Sequence, residues 1–160
     1  MSTIVSIYEI DEISKPVSVF GDRLKSLVDD LIQTMNEFSG IGIAAPQIGV
    51  KERILVIKSG NDNIVMINPM TISLSKDKKV TREGCLSMPG ISVDVERHAE
   101  ATVQYQDVTG HGHTVTLMNF AAIIYQHELD HLERINILDR AGMKSTRDNA
   151  KNLAFMNGVA

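Results

Sequence analysis

His127-Glu128-Leu129-Asp130-His131 is the stretch on which the reading of this chain turns. Its histidines are four residues apart, so on an α-helix they share one face and can hold one metal ion together. Glu128 lies between them and can reach a water on that ion. The residues before the run supply the helix it needs. Phe120, Ile123, Ile124 and His127 recur at helical spacing, which predicts a helix over 120–133 with Asn119 placed to cap it.

Catalytic sites of this kind use three protein ligands plus a water. Extended metzincins add a glycine and a further histidine downstream; here those positions are Arg134 and Ile137, which excludes that class. Glu133, the last glutamate, is too close to His131 to fold back onto the same ion. Asp139 and Asp148 remain as alternatives without a local signature. Upstream stands Cys85, the only cysteine, within Glu83-Gly84-Cys85-Leu86-Ser87-Met88-Pro89. A thiolate binds a divalent metal well, and the metal lowers its pKa. Cys85, His127 and His131 are therefore read as the ligands.

Working outward, residues 1–20 read as an irregular arm broken by Pro16. Leu24, Leu27, Val28, Leu31, Ile32, Met35 and Phe38 form an apolar stripe, which predicts a helix over 21–38 closed by Ser39-Gly40, with Gly40 as the cap. Residues 53–58 and 64–67 read as strands around an Asn61-Asp62-Asn63 turn. Ile91, Val93 and Val95 alternate with polar residues, as do Ala101, Val103 and Tyr105, then Val115 and Leu117. These predict half-buried antiparallel strands, with Asp107-Val108-Thr109-Gly110 as a hairpin turn. His111 and His113 read as exposed turn histidines, and Lys76, Lys78 and Lys79 as a solvated loop. Residues 145–148 are expected to open a short helix carrying Leu153, Phe155 and Met156. The whole predicts an α+β single domain, with antiparallel sheets packed around a central helix that bears HExxH.

A third block, Gly40-Ile41-Gly42-Ile43-Ala44-Ala45-Pro46-Gln47, joins the other two. Together the GxGxAAxQ, EGCxS and QHExDH blocks, in this order, resemble those of the peptide deformylases. The resemblance implies removal of the formyl group from N-formylmethionyl peptides, with release of formate. It implies one divalent metal per chain on Cys85, His127 and His131. Ferrous iron is expected, with Zn(II), Ni(II) or Co(II) able to substitute. Glu128 is implied as general base and then acid, and the Gln47 amide and Leu86 N–H as oxyanion donors. Gly42 is implied as a backbone contact for substrate, and Glu83 with Arg97 as a structural ion pair. Ile41, Phe120, Ile123 and Ile124 are expected to line an apolar slot for the methionine side chain. The family usually ends its HExxH helix on a glycine where this chain has Arg134, so the helix is expected to run on toward Asn136.

Composition narrows the partners. A chain of 160 residues can bury a core without disulfides, and a net charge of -4 gives no basic footprint for nucleic acid. One cysteine fits a reducing compartment, and no long apolar run suggests a membrane helix. The expected setting is a cytoplasmic monomer that meets its substrate at the ribosome exit. The source is bacterial, phage-encoded or mature organellar. Rival readings are a zinc endopeptidase, a binding protein that has lost turnover, and a cysteine hydrolase using Cys85.

Overall fold

The computed structural model describes residues 2–142. In chain order the elements are α1 (Asp22–Glu37), β1 (Gly42–Ala44), β2 (Ile54–Ser59), β3 (Asp62–Leu74), β4 (Lys78–Cys85), β5 (Met88–His98), β6 (Glu100–Gln106), β7 (Gly112–Met118), α2 (Asn119–Leu132) and α3 (Ile137–Arg140). Single 3-10 turns add Ile7–Glu9 and Ala45–Ile48. Five strands form one antiparallel sheet in the order β1-β2-β3-β6-β7, while β4 and β5 pair as a separate ribbon.

Helices cover both faces of the sheet. Ile54 and Val56 of β2 pack with Leu24, Val28, Leu31 and Met35 of α1. Leu55 and Ile57 point the other way, against Ala122, Ile124 and Tyr125 of α2. Coverage of both faces is why β2 is a continuous apolar run and does not alternate. A third cluster joins Ile7 and Ile10 of the arm, Met88, Ile91 and Val95 of β5, and Ile137 and Leu138 of α3. Among the described residues no helix is long and apolar enough to cross a membrane.

Several expectations are corrected. Phe38 sits exposed at the end of α1, outside the buried stripe. The left-handed residue there is Ser39 (φ 55), not Gly40, which instead donates its N–H to Met35 O at 2.8 Å. The HExxH helix does not run on: it ends at Leu132, and Arg134 takes the left-handed conformation at φ 63. Ile135 N–H returns to Asp130 O at 2.8 Å and Arg134 N–H to His131 O at 3.4 Å, the two bonds of a Schellman cap. Those carbonyls are satisfied, which offsets the cost of about 1 kcal/mol for a side chain in this region. Asn119 does not cap α2: the cap position is Met118, without a side-chain hydrogen bond, and Asn119 Oδ1 accepts from Lys79 Nζ at 3.0 Å.

The β2–β3 turn is Gly60-Asn61, because Asp62 already pairs with Ser59, and Gly60 supplies the positive φ of 63 that a two-residue turn needs. Lys78 and Lys79 are exposed but belong to β4, paired with His98 and Arg97. The expected helix near 145–148, with Leu153, Phe155 and Met156, lies outside the described residues.

Candidate metal centre

Two elements converge on the site. The register of β4 against β5 shifts between Gly84 and Cys85, so Cys85 closes the ribbon opposite Met88. On the other side, α2 presents His127 and His131 from consecutive turns. One ligand atom from each of Cys85, His127 and His131 lies within 4.8 Å of the others. Cys85 Sγ stands 3.3 Å from His131 Nε2, and the two imidazoles meet edge to face at 5.0 Å.

His127 is oriented from behind. Its Nδ1 lies 2.9 Å from Glu83 Oε1, so Nδ1 carries the proton and Nε2 turns its lone pair to the site. Burial disfavours the protonated ring, but hydrogen bonds donated to Cys85 and Glu83 and the charge on Glu128 outweigh it, so the imidazole pKa lies well above its ordinary value until a cation takes the Nε2 lone pair. Glu83 is itself fixed: Arg97 donates Nε to Oε2 at 3.0 Å and Nη2 to Oε1 at 2.9 Å. Burial raises the Glu83 pKa, yet these partners prevail and hold it down at about 2.

Glu128 is buried beside the cluster, with Oε1 4.0 Å from His127 Nε2. Its Oε2 is buried and has no hydrogen-bond partner among the described residues. Burial is the main cause that pushes its pKa up to about 7, with Glu83 and Asp130 adding to it and His127 and Arg97 opposing. A carboxylate left without a partner fits a cation and a water beside it. One thiol and two imidazoles form a donor set suited to Zn(II), Fe(II), Co(II) or Ni(II).

Gln47 lies in the 3-10 turn after β1 and is buried. Ala44 N–H donates to its Oε1 at 2.9 Å, which turns Nε2 toward Ser87 Oγ at 3.4 Å and Cys85 Sγ at 3.8 Å. The arm secures this corner, since Val5 N–H donates to Gln47 O at 2.8 Å and Ile7 N–H to Ser87 O at 3.1 Å. Across the site Gln126 ties α2 to the end of β5, accepting from His98 N–H at 3.0 Å and donating to His98 O at 2.8 Å.

A cavity of about 490 Å³ opens onto these groups, with Gly42, Gln47, Cys85, Leu86, His127 and Glu128 at its floor and wall. Ile41, Phe120, Ile123 and Ile124 line its apolar side, of which Phe120 and Ile41 also reach solvent. The residues read as base, oxyanion donors and substrate wall thus meet around one cavity with Cys85 and His127, while His131 stands beside Cys85 and Arg97 behind Glu83. The alternative ligand Asp139 is engaged elsewhere: its Oδ2 accepts from Asn136 N–H at 3.0 Å in the cap of α3. Asp148 lies outside the described residues. His111 and His113 are exposed and turn to their own hairpin, where His113 Nε2 is 2.7 Å from Asp107 Oδ2 and its ring stacks on Tyr105. No local sequence pattern assigns a role to Ser87, Gln126, Asp130 or Arg140; Asp130 stands within HExDH, but its partners Arg97 and Arg140 lie 33 and 10 residues away.

The polypeptide deformylase family matches residues 4–147. A peptide deformylase of Thermotoga sp. (strain RQ2) is 40% identical over 127 residues, covering 79% of this chain and 77% of that protein. The chain belongs to the polypeptide deformylase family. Among deformylases of known structure, that of Thermotoga maritima superposes with a TM-score of 0.85 at 37% identity, covering 88% of this chain and 97% of the other. The class I type b deformylase of Acinetobacter baumannii, solved with Met-Ala-Ser bound, gives a TM-score of 0.81 at 32% identity, covering 88% and 99%. Deformylases remove the N-formyl group of nascent peptides, and the chain is an enzyme of this kind.

Proposed function

We propose that this chain is one metal-dependent deformylase domain, built around α2 as its central element. In this reading it hydrolyses the formyl amide of N-formylmethionyl peptides on a divalent ion held by Cys85, His127 and His131. The observation that carries the reading is the meeting of those three ligand atoms within 4.8 Å, beside the partnerless Glu128 Oε2 and at the floor of an apolar-walled cavity. When bound, the ion supplies Lewis acidity, polarising a carbonyl and lowering the pKa of water from ~15.7 toward ~7.

The residues of the chain do the rest. Glu128 accepts a proton from the attacking water as its oxygen adds to the formyl carbon. Burial raises the Glu128 pKa above the usual carboxylate range, the direction that suits a group that must take a proton and then give it back. Gln47 Nε2 and the Leu86 N–H donate to the oxygen that gains charge, each donor contributing roughly 3 kcal/mol. Because Gln47 is an amide held at its other end by Ala44 N–H, it arrives pre-oriented and brings no competing charge. As the C–N bond breaks, Glu128 delivers its proton to the departing amine, and formate and the free peptide leave. Gly42 offers its backbone to the peptide, and Ile41, Phe120, Ile123 and Ile124 receive the methionine side chain. The Met-Ala-Ser seen in the Acinetobacter enzyme supports a peptide product of this class.

Ferrous iron is the metal we favour. We place the enzyme as a monomer in the cytoplasm or an organelle, where formylated chains leave the ribosome. A cysteine-hydrolase mechanism would use Cys85 as nucleophile with His131 as its base, and a turnover that requires metal separates the two readings. The test is formate release from formyl-Met-Ala-Ser with metal content measured on the same sample. Full turnover by metal-free protein would refute the reading.

A further inference from the structure

The ion pairs behind the metal centre extend well past Glu83. Arg97 turns two donors to Glu83 and its third, Nη1, to Asp130 Oδ2 at 2.6 Å. All three side chains are buried, so two carboxylates share one guanidinium. Asp130 is gripped from its other side by Arg140, with Nε 3.0 Å from Oδ2 and Nη2 2.7 Å from Oδ1. A continuous line of charged contacts therefore runs from Arg140 through Asp130, Arg97 and Glu83 to Nδ1 of His127.

We propose that Arg140 is a positioning residue for the metal ligand His127, acting through Asp130, Arg97 and Glu83. The inference rests on the metal-site reading above. With Arg140 present, two guanidinium groups face two carboxylates. Without it, Asp130 has Arg97 alone and draws that guanidinium toward itself, away from Glu83. Glu83 then holds the His127 ring less firmly, and the lone pair on Nε2 loses its aim. The planar fork of arginine matters, because it engages both oxygens of Asp130 in a fixed direction.

Arg140 is well placed for the task. Helix α3 is capped by Asn136, whose Oδ1 accepts from Leu138 N–H at 2.9 Å and Asp139 N–H at 3.0 Å. Ile137 and Leu138 anchor the helix in the cluster with Met88, Ile91 and Val95. The Arg140 side chain is 46% exposed, so truncating it removes the charge without opening a hole in the core.

The experiment loads the full chain with Zn(II) and follows release into excess chromophoric chelator. Loss of a ligand's direct partner costs roughly 10–100-fold in affinity, and Arg140 is farther out, so Arg140→Ala should release zinc about 5-fold faster. Arg140→Lys, which keeps the charge but not the fork, should fall between. Arg23→Ala, which removes an arginine from an exposed ion pair with Glu52 remote from the site, should release at the wild-type rate. If Arg140→Ala does not fold, Arg140→Gln gives the same readout. Unchanged release from the Arg140 variants, or equal acceleration by Arg23→Ala, overturns the inference. If the wild type itself takes up no zinc, the metal-site reading fails first, before any variant is compared.

Discussion

Gly42 and Glu128 touch so closely that a Cβ on the glycine would stand 2.9 Å from Glu128 Oε1 and 3.0 Å from its Cγ. The same Cβ would meet Ile124 Cγ2 at 2.7 Å. The missing side chain on β1 is what leaves room for the carboxylate on α2. Gly42→Ala should therefore displace Glu128, and a shift of about 1 Å costs on the order of 100-fold in rate. The fall should be in kcat, with metal content unchanged. An alanine variant with wild-type kcat would show that the carboxylate has other room.

Glu128→Gln keeps the shape and removes the proton acceptor. General-base loss costs about 100- to 10,000-fold, and turnover should fall by that much while the three ligands still hold their ion. Formate release and metal analysis on one sample decide it. A metal-replete variant turning over near the wild-type rate would remove Glu128 from the chemistry.

Glu83 links the metal centre to acid stability. Its pKa falls from 4.5 to about 2 on folding, because hydrogen bonds to His127 and Arg97 outweigh burial. A depressed carboxylate contributes stability above its unfolded pKa and loses it as pH falls through the folded one. Metal-free protein should therefore weaken between pH 4.5 and about 2, taking up a proton on unfolding. Urea unfolding across that window should show a steeper pH dependence for wild type than for Glu83→Gln. Equal slopes would mean that Glu83 is not held ionised.

Substrate choice should follow the apolar wall formed by Ile41, Phe120, Ile123 and Ile124. Burying a methionine-sized side chain is worth about 1.5–3 kcal/mol, or roughly 10- to 150-fold. Formyl-Met and formyl-norleucine peptides should exceed formyl-Asp by at least that in kcat/KM. Equal values for all three would rule out the pocket.

Much of this site is legible in sequence, for identifiable reasons. The HExxH spacing works through helix geometry alone, and the α1 stripe and the β2 run report burial directly. The strand β4 is different. Its exposed residues Lys78, Lys79, Val80 and Arg82 carry no apolar alternation, and it is held by pairing with β5 and an exchange between Arg82 and Asp94 at 3.3 Å. Arg134 hides its helix end because a residue with a side chain occupies a position where glycine is the usual signal, whereas Gly40 still marks the end of α1, one residue beyond the left-handed Ser39. The grip of Arg140 on Asp130 spans a helix end and a turn, and no local pattern marks it.

The most direct measurement is a Co(II) titration of metal-free protein, following formate release and the thiolate-to-cobalt absorption band together. Both should rise linearly and stop at about one equivalent, because one set of Cys85, His127 and His131 is present per chain. In Cys85→Ser the band should vanish and binding weaken. Formate release at full rate before any cobalt is added, or saturation without a thiolate band, would contradict the metal centre proposed here.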